Sequence, residues 1–193
     1  MGKKVHIDGV RAFVRGTPVF RARDVEALVG DRGYALLMLH NMVAGGEVRR
    51  LTRGWYTRLD DPVLSVFAFA PAYLGLQAAL SMRGGWEQET NVVVVTSGKA
   101  APGTREVLGG RVVVHRIAPR YFFGFDHVPQ GEFDVPVSDV EKTAIDLVYY
   151  GESPGRDVLR AAVRGADMGV LEGYLRRYPP AFVSKFRSAA GLG

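Results

Sequence analysis

A chain of 193 residues without cysteine has the length for one domain or two small ones and forms neither disulfides nor thiolate metal sites. No apolar run reaches the ~18 residues of a membrane span, and the start, MGKKVHIDGVRAF, has no apolar core after its lysines, which argues against a secretory signal and for a cytoplasmic chain. The net charge of +5 is unevenly placed: residues 1–60 hold eleven Lys and Arg against six Asp and Glu, whereas residues 61–193 hold fourteen of each, so the first third is the part suited to a polyanion.

In chain order, HIDGVRAFVRG reads as a short helix with Ile7, Val10, Ala12, Phe13 and Val14 on an apolar face. TPVF is a short extended piece. RARDVEALVG is a second helix, with Val25, Leu28 and Val29 apolar and Gly30 as its stop. Asp31 is placed to cap a third helix, RGYALLMLHNMVAGG, which ends at Gly45-Gly46. EVRRL and WYTRL are then two strands joined by TRG, with Gly54 supplying a positive backbone angle, Tyr56 packing beneath the hairpin and Trp55 pointing the other way. This order of three helices and a hairpin predicts a winged helix-turn-helix over residues 1–60, whose third helix enters the major groove of double-stranded DNA.

The third helix takes Leu36, Leu39 and Val43 as its core face, which leaves Arg32, Gly33, Tyr34, Leu37, Met38 and Asn41 nearer the other side. Arg32 suits guanine, Asn41 suits adenine and Tyr34 suits a phosphate. In the hairpin, Arg49, Arg50, Arg53 and Arg58 are the phosphate or minor-groove candidates, with at least one of them free to pair with Glu47, Asp60 or Asp61 instead.

After the linker Asp60-Asp61-Pro62, residues 63–193 change character. VLSVFAFA reads as extended, PAYLGLQAALSMRGG as a helix, NVVVVTS and GGRVVVHRI as buried strands around the turn-rich GKAAPGTREVLGG, and YFFGFDHV and EFDVPV as further extended pieces. SDVEKTAIDLVYYG is a helix capped by Ser138 or Asp139 and stopped by Gly151, with Val140, Ala144, Leu147 and Val148 on its apolar face. Two more helices, GRDVLRAAVRG and DMGVLEGYLRRYPPAFVSKFRSAA, close the chain. The expected fold class is α+β: a winged helix-turn-helix followed by a mixed α+β domain with a small sheet flanked by helices.

The first block, TPVFRARDVEAL…LHNMVAGGEVRRLTRGWYTRLDDP, resembles the winged-helix domain of the AbiEi-type antitoxins of type IV toxin–antitoxin systems. The pattern is a wing of the form V-x-R-L-x-R-G-x-Y, here Val48, Arg50, Leu51, Arg53, Gly54 and Tyr56. AYLGLQAALSMRGG, NVVVVTS, VVVHRI, YFFGFDHV and VPVSDVEKTAIDLV resemble that family's C-terminal domain, and together the pieces cover most of residues 15–150. The resemblance implies a regulator that represses its own operon through operator DNA and counters a nucleotidyltransferase-like toxin, not necessarily in a stable complex. It also offers Glu141, Lys142 and Asp146 as an antitoxin surface, beside a purely structural role for the same residues.

The residues themselves leave two other readings open. One is a nuclease-like enzyme using Asp134, Asp139, Glu141 or Lys142. Against it, Glu141 and Lys142 are adjacent on a helix and diverge by about 100°, while Lys142 and Asp146 are spaced for a weak i, i+4 ion pair. The other is an interaction module whose apolar third helix binds protein. His115, Asp126 and His127 suggest no metal site, because no third histidine lies near them, and no nucleophile-elbow, phosphate-loop or zincin motif occurs. The sequence therefore predicts a regulator that is not an enzyme, with no cofactor and no metal.

Overall fold

Nine buried apolar side chains of the first sixty residues meet in one core. The computed structural model describes residues 2–85, 90–152 and 155–192. Val10 and Val14 of α1 (Gly2–Gly16), Phe20 of β1 (Val19–Arg21), Val25 of α2 (Ala22–Val29) and Ala35, Met38, Leu39 and Met42 of α3 (Arg32–Ala44) are buried together with Val48. Each helix end has its chemical reason. Gly30 takes the left-handed conformation that closes α2, with φ of 75°. Asp31 starts α3 by accepting a 2.6 Å hydrogen bond from the Tyr34 N–H. At the start of α2, Asp24 reaches back to accept from the Arg21 N–H at 2.7 Å.

The hairpin β2 (Arg49–Thr52) and β3 (Trp55–Thr57) turns at Gly54, φ 77°. β3 also pairs antiparallel with β1, so the sheet order is β1-β3-β2. The extended TPVF piece is thus a third strand that anchors the hairpin. Tyr56 packs beneath it, stacked on Phe20 at 6.0 Å, and Phe20 meets Phe13 edge-on at 5.6 Å. A paired ion bond ties α1 to the segment before β2: Arg11 donates twice to Glu47, both at 2.7 Å.

The chain divides into two compact units. The first runs to Ala68 and takes in Glu106–Arg111. The second holds Phe69–Arg105 and the residues from Val112 onward. The first unit therefore extends past the 1–60 span read from the sequence. VLSVFAFA is no strand; it forms a 3₁₀ turn, Pro62–Leu64, capped by Asp61, and a short helix α4, Ser65–Ala68.

Apart from Glu106–Arg111 at the β6–β7 turn, the second unit holds a six-stranded sheet, larger than expected, in the order β6-β7-β5-β4-β9-β8. Its strands are β4 (Ala72–Leu74), β5 (Val92–Thr96), β6 (Gly103–Val107), β7 (Gly110–Arg116), β8 (Phe125–Gln130) and β9 (Phe133–Ser138). β4 runs antiparallel to β5 and parallel to β9, while β5 and β7 are parallel and β8 and β9 antiparallel. Tyr73, Val93 and Val95 face a core shared with α5 (Leu76–Met82), α6 (Val140–Tyr150), α7 (Arg156–Arg164), α8 (Met168–Leu175) and α9 (Pro180–Ala190). Three elements differ from the sequence reading. The expected helix from Pro71 begins only at Leu76, because Ala72–Leu74 pair with both β5 and β9. The turn-rich segment after β5 contains strand β6. Pro179-Pro180 divide the last helical stretch into α8 and α9.

Gly124 sits where no side chain fits. Its φ is 71°, and a Cβ there would lie 2.8 Å from Lys142 Cβ and 2.9 Å from Tyr174 Cε2. Gly131 has a similar φ of 61° with open space around it. Gly131→Ala is expected to lose roughly 1 kcal/mol from backbone strain alone. Gly124→Ala adds overpacking and is expected to lose about 1–3 kcal/mol more. Chemical denaturation of the two variants measures the difference; equal losses would mean that the close approach at Gly124 carries no energy.

Candidate nucleic-acid interface

Successive residues of a helix turn by about 100°, and α3 divides cleanly on that wheel. Ala35, Met38, Leu39 and Met42 occupy the buried arc. Arg32, Gly33, Leu36, Leu37, His40, Asn41, Val43 and Ala44 are exposed. This corrects the face read from the sequence: Leu36 and Val43, expected in the core, are 45% and 39% exposed, and Met38, expected outward, is 5% exposed. Leu39 is buried as expected. The cause is that α3 has aliphatic residues all round, so two different stripes satisfy helical spacing and periodicity alone does not choose between them. Arg32 and Asn41 do face out. Tyr34 is half-buried and packs against the core of the first unit.

The hairpin arginines differ in their surroundings. Arg49 pairs with Asp60 at 3.3 Å. Glu47 is taken by Arg11, whose hydrogen bonds hold its carboxyl below the usual carboxylate range. Arg50 and Arg53 are exposed and make no ion pair with any described residue. Arg58 is half-buried. Sequence reasoning missed two residues on this side of the molecule. His40 is exposed on the outward arc of α3. Arg21 lays its guanidinium over Trp55, 4.1 Å from the ring centroid, a contact set by the register that pairs the two residues across β1 and β3. The signal for the second was the strand pairing of TPVF, which periodicity in four residues does not reveal.

In the second unit, Glu141, Lys142 and Asp146 form no surface. They are 9%, 0% and 0% exposed, which corrects the expectation of a partner-facing patch; the i, i+4 pair of Lys142 and Asp146 does form, in the core. The Lys142 ammonium donates to Asp146 Oδ1, and the Tyr73 hydroxyl donates to Asp146 Oδ2 at 2.7 Å. Tyr178 Oη lies 3.4 Å from the ammonium, and the rings of Tyr73 and Phe123 lie beside it. Burial pulls the Lys142 pKa down and pushes that of Asp146 up, and in each case the partner's charge opposes the shift. Glu141 accepts from the Asp167 N–H at 2.5 Å and so fastens the start of α8 to α6.

Asp139 caps α6 by accepting from the Lys142 N–H at 2.6 Å and also accepts from the Tyr174 hydroxyl at 2.7 Å. Its pKa is raised by burial. Asp134 stands exposed on β9, apart from these partners. The His115 ring lies tilted against that of Tyr150 at 4.5 Å, Asp126 pairs with Arg83 and His127 is exposed; among the described residues no three metal-ligating side chains of the His, Asp, Glu kind converge. No helix among them is long and apolar enough to cross a membrane.

No protein-family model and no curated protein sequence matches the chain. Among solved structures, the crystal structure of the RV2827C protein from Mycobacterium tuberculosis is similar over 96% of this chain and 74% of that one, with a TM-score of 0.64 and 14% sequence identity. At that identity the likeness is one of fold, and it agrees with the mixed α+β architecture described above.

Removing one partner of a buried ion pair leaves the other charge uncompensated. Lys142→Ala is therefore expected to lose about 3–5 kcal/mol, ten times the value of a solvated helix pair. Lys142→Met combined with Asp146→Asn, which keeps an acceptor for Tyr73, is expected to be more stable than either single change. Urea denaturation of Lys142→Ala, the two single changes and the double variant provides the comparison, and additive losses in the last three would mean that the two side chains are not coupled.

Proposed function

We propose that the chain is a DNA-binding transcriptional regulator, an AbiEi-like antitoxin that represses its own operon and counters a nucleotidyltransferase-like toxin. In this reading the first unit is a winged helix-turn-helix, α3 is its recognition helix in the major groove of operator DNA, and the β2–β3 hairpin is the wing on the adjacent phosphates. The second unit carries the function against the toxin.

The observation that carries the proposal is the pair Arg50 and Arg53. Both project from the hairpin without an acidic partner among the described residues. The first sixty residues hold the whole charge excess of the chain. Exposed arginines without partners are a standing cost in self-repulsion, and phosphate contact relieves it while releasing counterions. The outward face of α3, with Arg32, His40 and Asn41, offers polar groups for base edges. Arg49, already paired with Asp60, is the weaker contributor.

The exposed Leu36, Leu37 and Val43 favour one other reading, a protein-interaction module that docks through α3. Binding to the DNA upstream of the chain's own gene, titrated with salt, separates the two. Each phosphate contact contributes roughly −0.9 to the slope of log affinity against log salt. Arg50→Ala with Arg53→Ala is expected to weaken binding to all duplexes alike and to flatten that slope by about one to two units. Unchanged affinity and slope would remove the hairpin from the interface, and no DNA binding at low salt would leave the interaction module.

A further inference from the structure

Phosphate contacts do not account for the aliphatic residues on the outward face of α3. Single exposed aliphatics are ordinary, but Leu36, Leu37 and Val43 stand within two turns of one helix. Resting on the DNA-binding reading above, we infer that α3 selects A·T-containing sites by seating Leu36 and Leu37 against thymine C5-methyl groups.

Three observations lead there. The first is chemical. The thymine methyl is the apolar group on a major-groove base edge, and aliphatic side chains recognise it by excluding water from both surfaces. Leu36 and Leu37 lie in the N-terminal half of α3, the part of a recognition helix that contacts base edges. The second is shape. Gly33, Leu37, His40 and Ala44 follow one another along the outward face at helical spacing, and the small residues at its two ends keep long side chains from holding the helix off the groove floor. A Cβ added to Gly33 would meet only the Asp31 side chain, so this smallness is not required by packing in the core.

The third observation is the polar complement. Asn41 is exposed on the same face and matches the N6 and N7 groups of adenine, the partner of thymine. No carboxylate stands on the outward arc of α3 to accept from cytosine N4. Arg32, at the helix start, matches guanine at the edge of such a site. The face therefore fits a short A·T segment flanked by G·C.

The experiment selects duplexes from a random 20-base-pair library with the full-length chain. The enriched duplex is then made twice, with thymine and with deoxyuridine at every thymine position, which deletes the methyls and keeps the hydrogen-bonding edges. A·T enrichment is expected in the core of the selected site. Two lost methyl contacts are expected to weaken binding by roughly tenfold. Leu36→Ala with Leu37→Ala is expected to bring the thymine duplex down to the deoxyuridine level without changing the salt slope. Both residues are exposed, and a thermal melt checks that the variant is folded; the deoxyuridine duplex makes the same test on the unaltered chain. Equal binding to the thymine and deoxyuridine duplexes would overturn the inference and leave the DNA-binding reading in place. Failure to bind any duplex at low salt would overturn both. A chain that self-associates through α3, with the double leucine variant monomeric and discrimination unchanged, would assign the face to a second copy and overturn the inference.

Discussion

The second unit is organised around a charge that has left water. Asp146, fully buried on α6, is bearable only because Lys142 one turn earlier and the Tyr73 hydroxyl from β4 satisfy both of its oxygens. The consequences spread outward from that requirement. Lys142 must in turn be lined by the rings of Tyr73 and Phe123 and by Tyr178, so the sheet, the segment before β8 and the turn after α8 are all brought to one point. The backbone beside the lysine stem must be a glycine, Gly124, whose carbonyl accepts from the Asp139 N–H at 3.0 Å. Asp139 then caps α6 and Glu141 fastens α8 to it. A sheet and two helices are held in register by polar contacts that tolerate no slip, while the surrounding aliphatic and aromatic residues supply the burial.

The two units treat charge in opposite ways. In the second, Glu141, Lys142 and Asp146 of α6 are partnered and buried. In the first, the notable cations stand in water. Arg11 is matched by Glu47 and Arg49 by Asp60, and these exposed pairs are worth little to stability. Arg50 and Arg53 have no acidic partner among the described residues. A protein that holds two arginines unmatched on one short hairpin gains nothing from them in isolation, and this contrast is the physical ground for reading the first unit as the binding unit and α6 as architecture.

Much of the secondary structure was legible in the sequence, because local chemistry set it. Gly30, Asp31, Gly54, Asp139 and Gly151 mark element ends by conformational preference or by a cap, and the apolar spacing of Val140, Ala144, Leu147 and Val148 identifies α6. What was not legible depended on distant partners. A lysine four residues before an aspartate reads as a solvated pair; it becomes a buried one through Tyr73, 73 residues from Asp146, and Tyr178, 36 residues from Lys142. The six-stranded sheet was underestimated for the same reason. β4 has three residues and β6 lies in a glycine- and proline-rich stretch, so neither carries a strand signal apart from its neighbours. Of the candidate interface, Arg32, Asn41, Arg50 and Arg53 are where the sequence put them, on the exposed side. His40 and the Arg21–Trp55 contact were not foreseen.

The composition of α3 has one further consequence. Leu36, Leu39 and Val43 form as complete an apolar stripe as Ala35, Met38, Leu39 and Met42, so burial alone leaves this helix close to degenerate between two rotational settings. The tie is broken at the ends: Gly30 and Asp31 fix where the first turn begins and which way it faces, and the chain must leave toward Val48, which is buried in the same core. Which residues this helix shows to the outside is therefore set by the Gly30-Asp31 hinge before it together with its exit toward Val48. Evolution has two ways to change that exposed surface, replacing its residues one at a time or altering the hinge and exchanging the whole set at once.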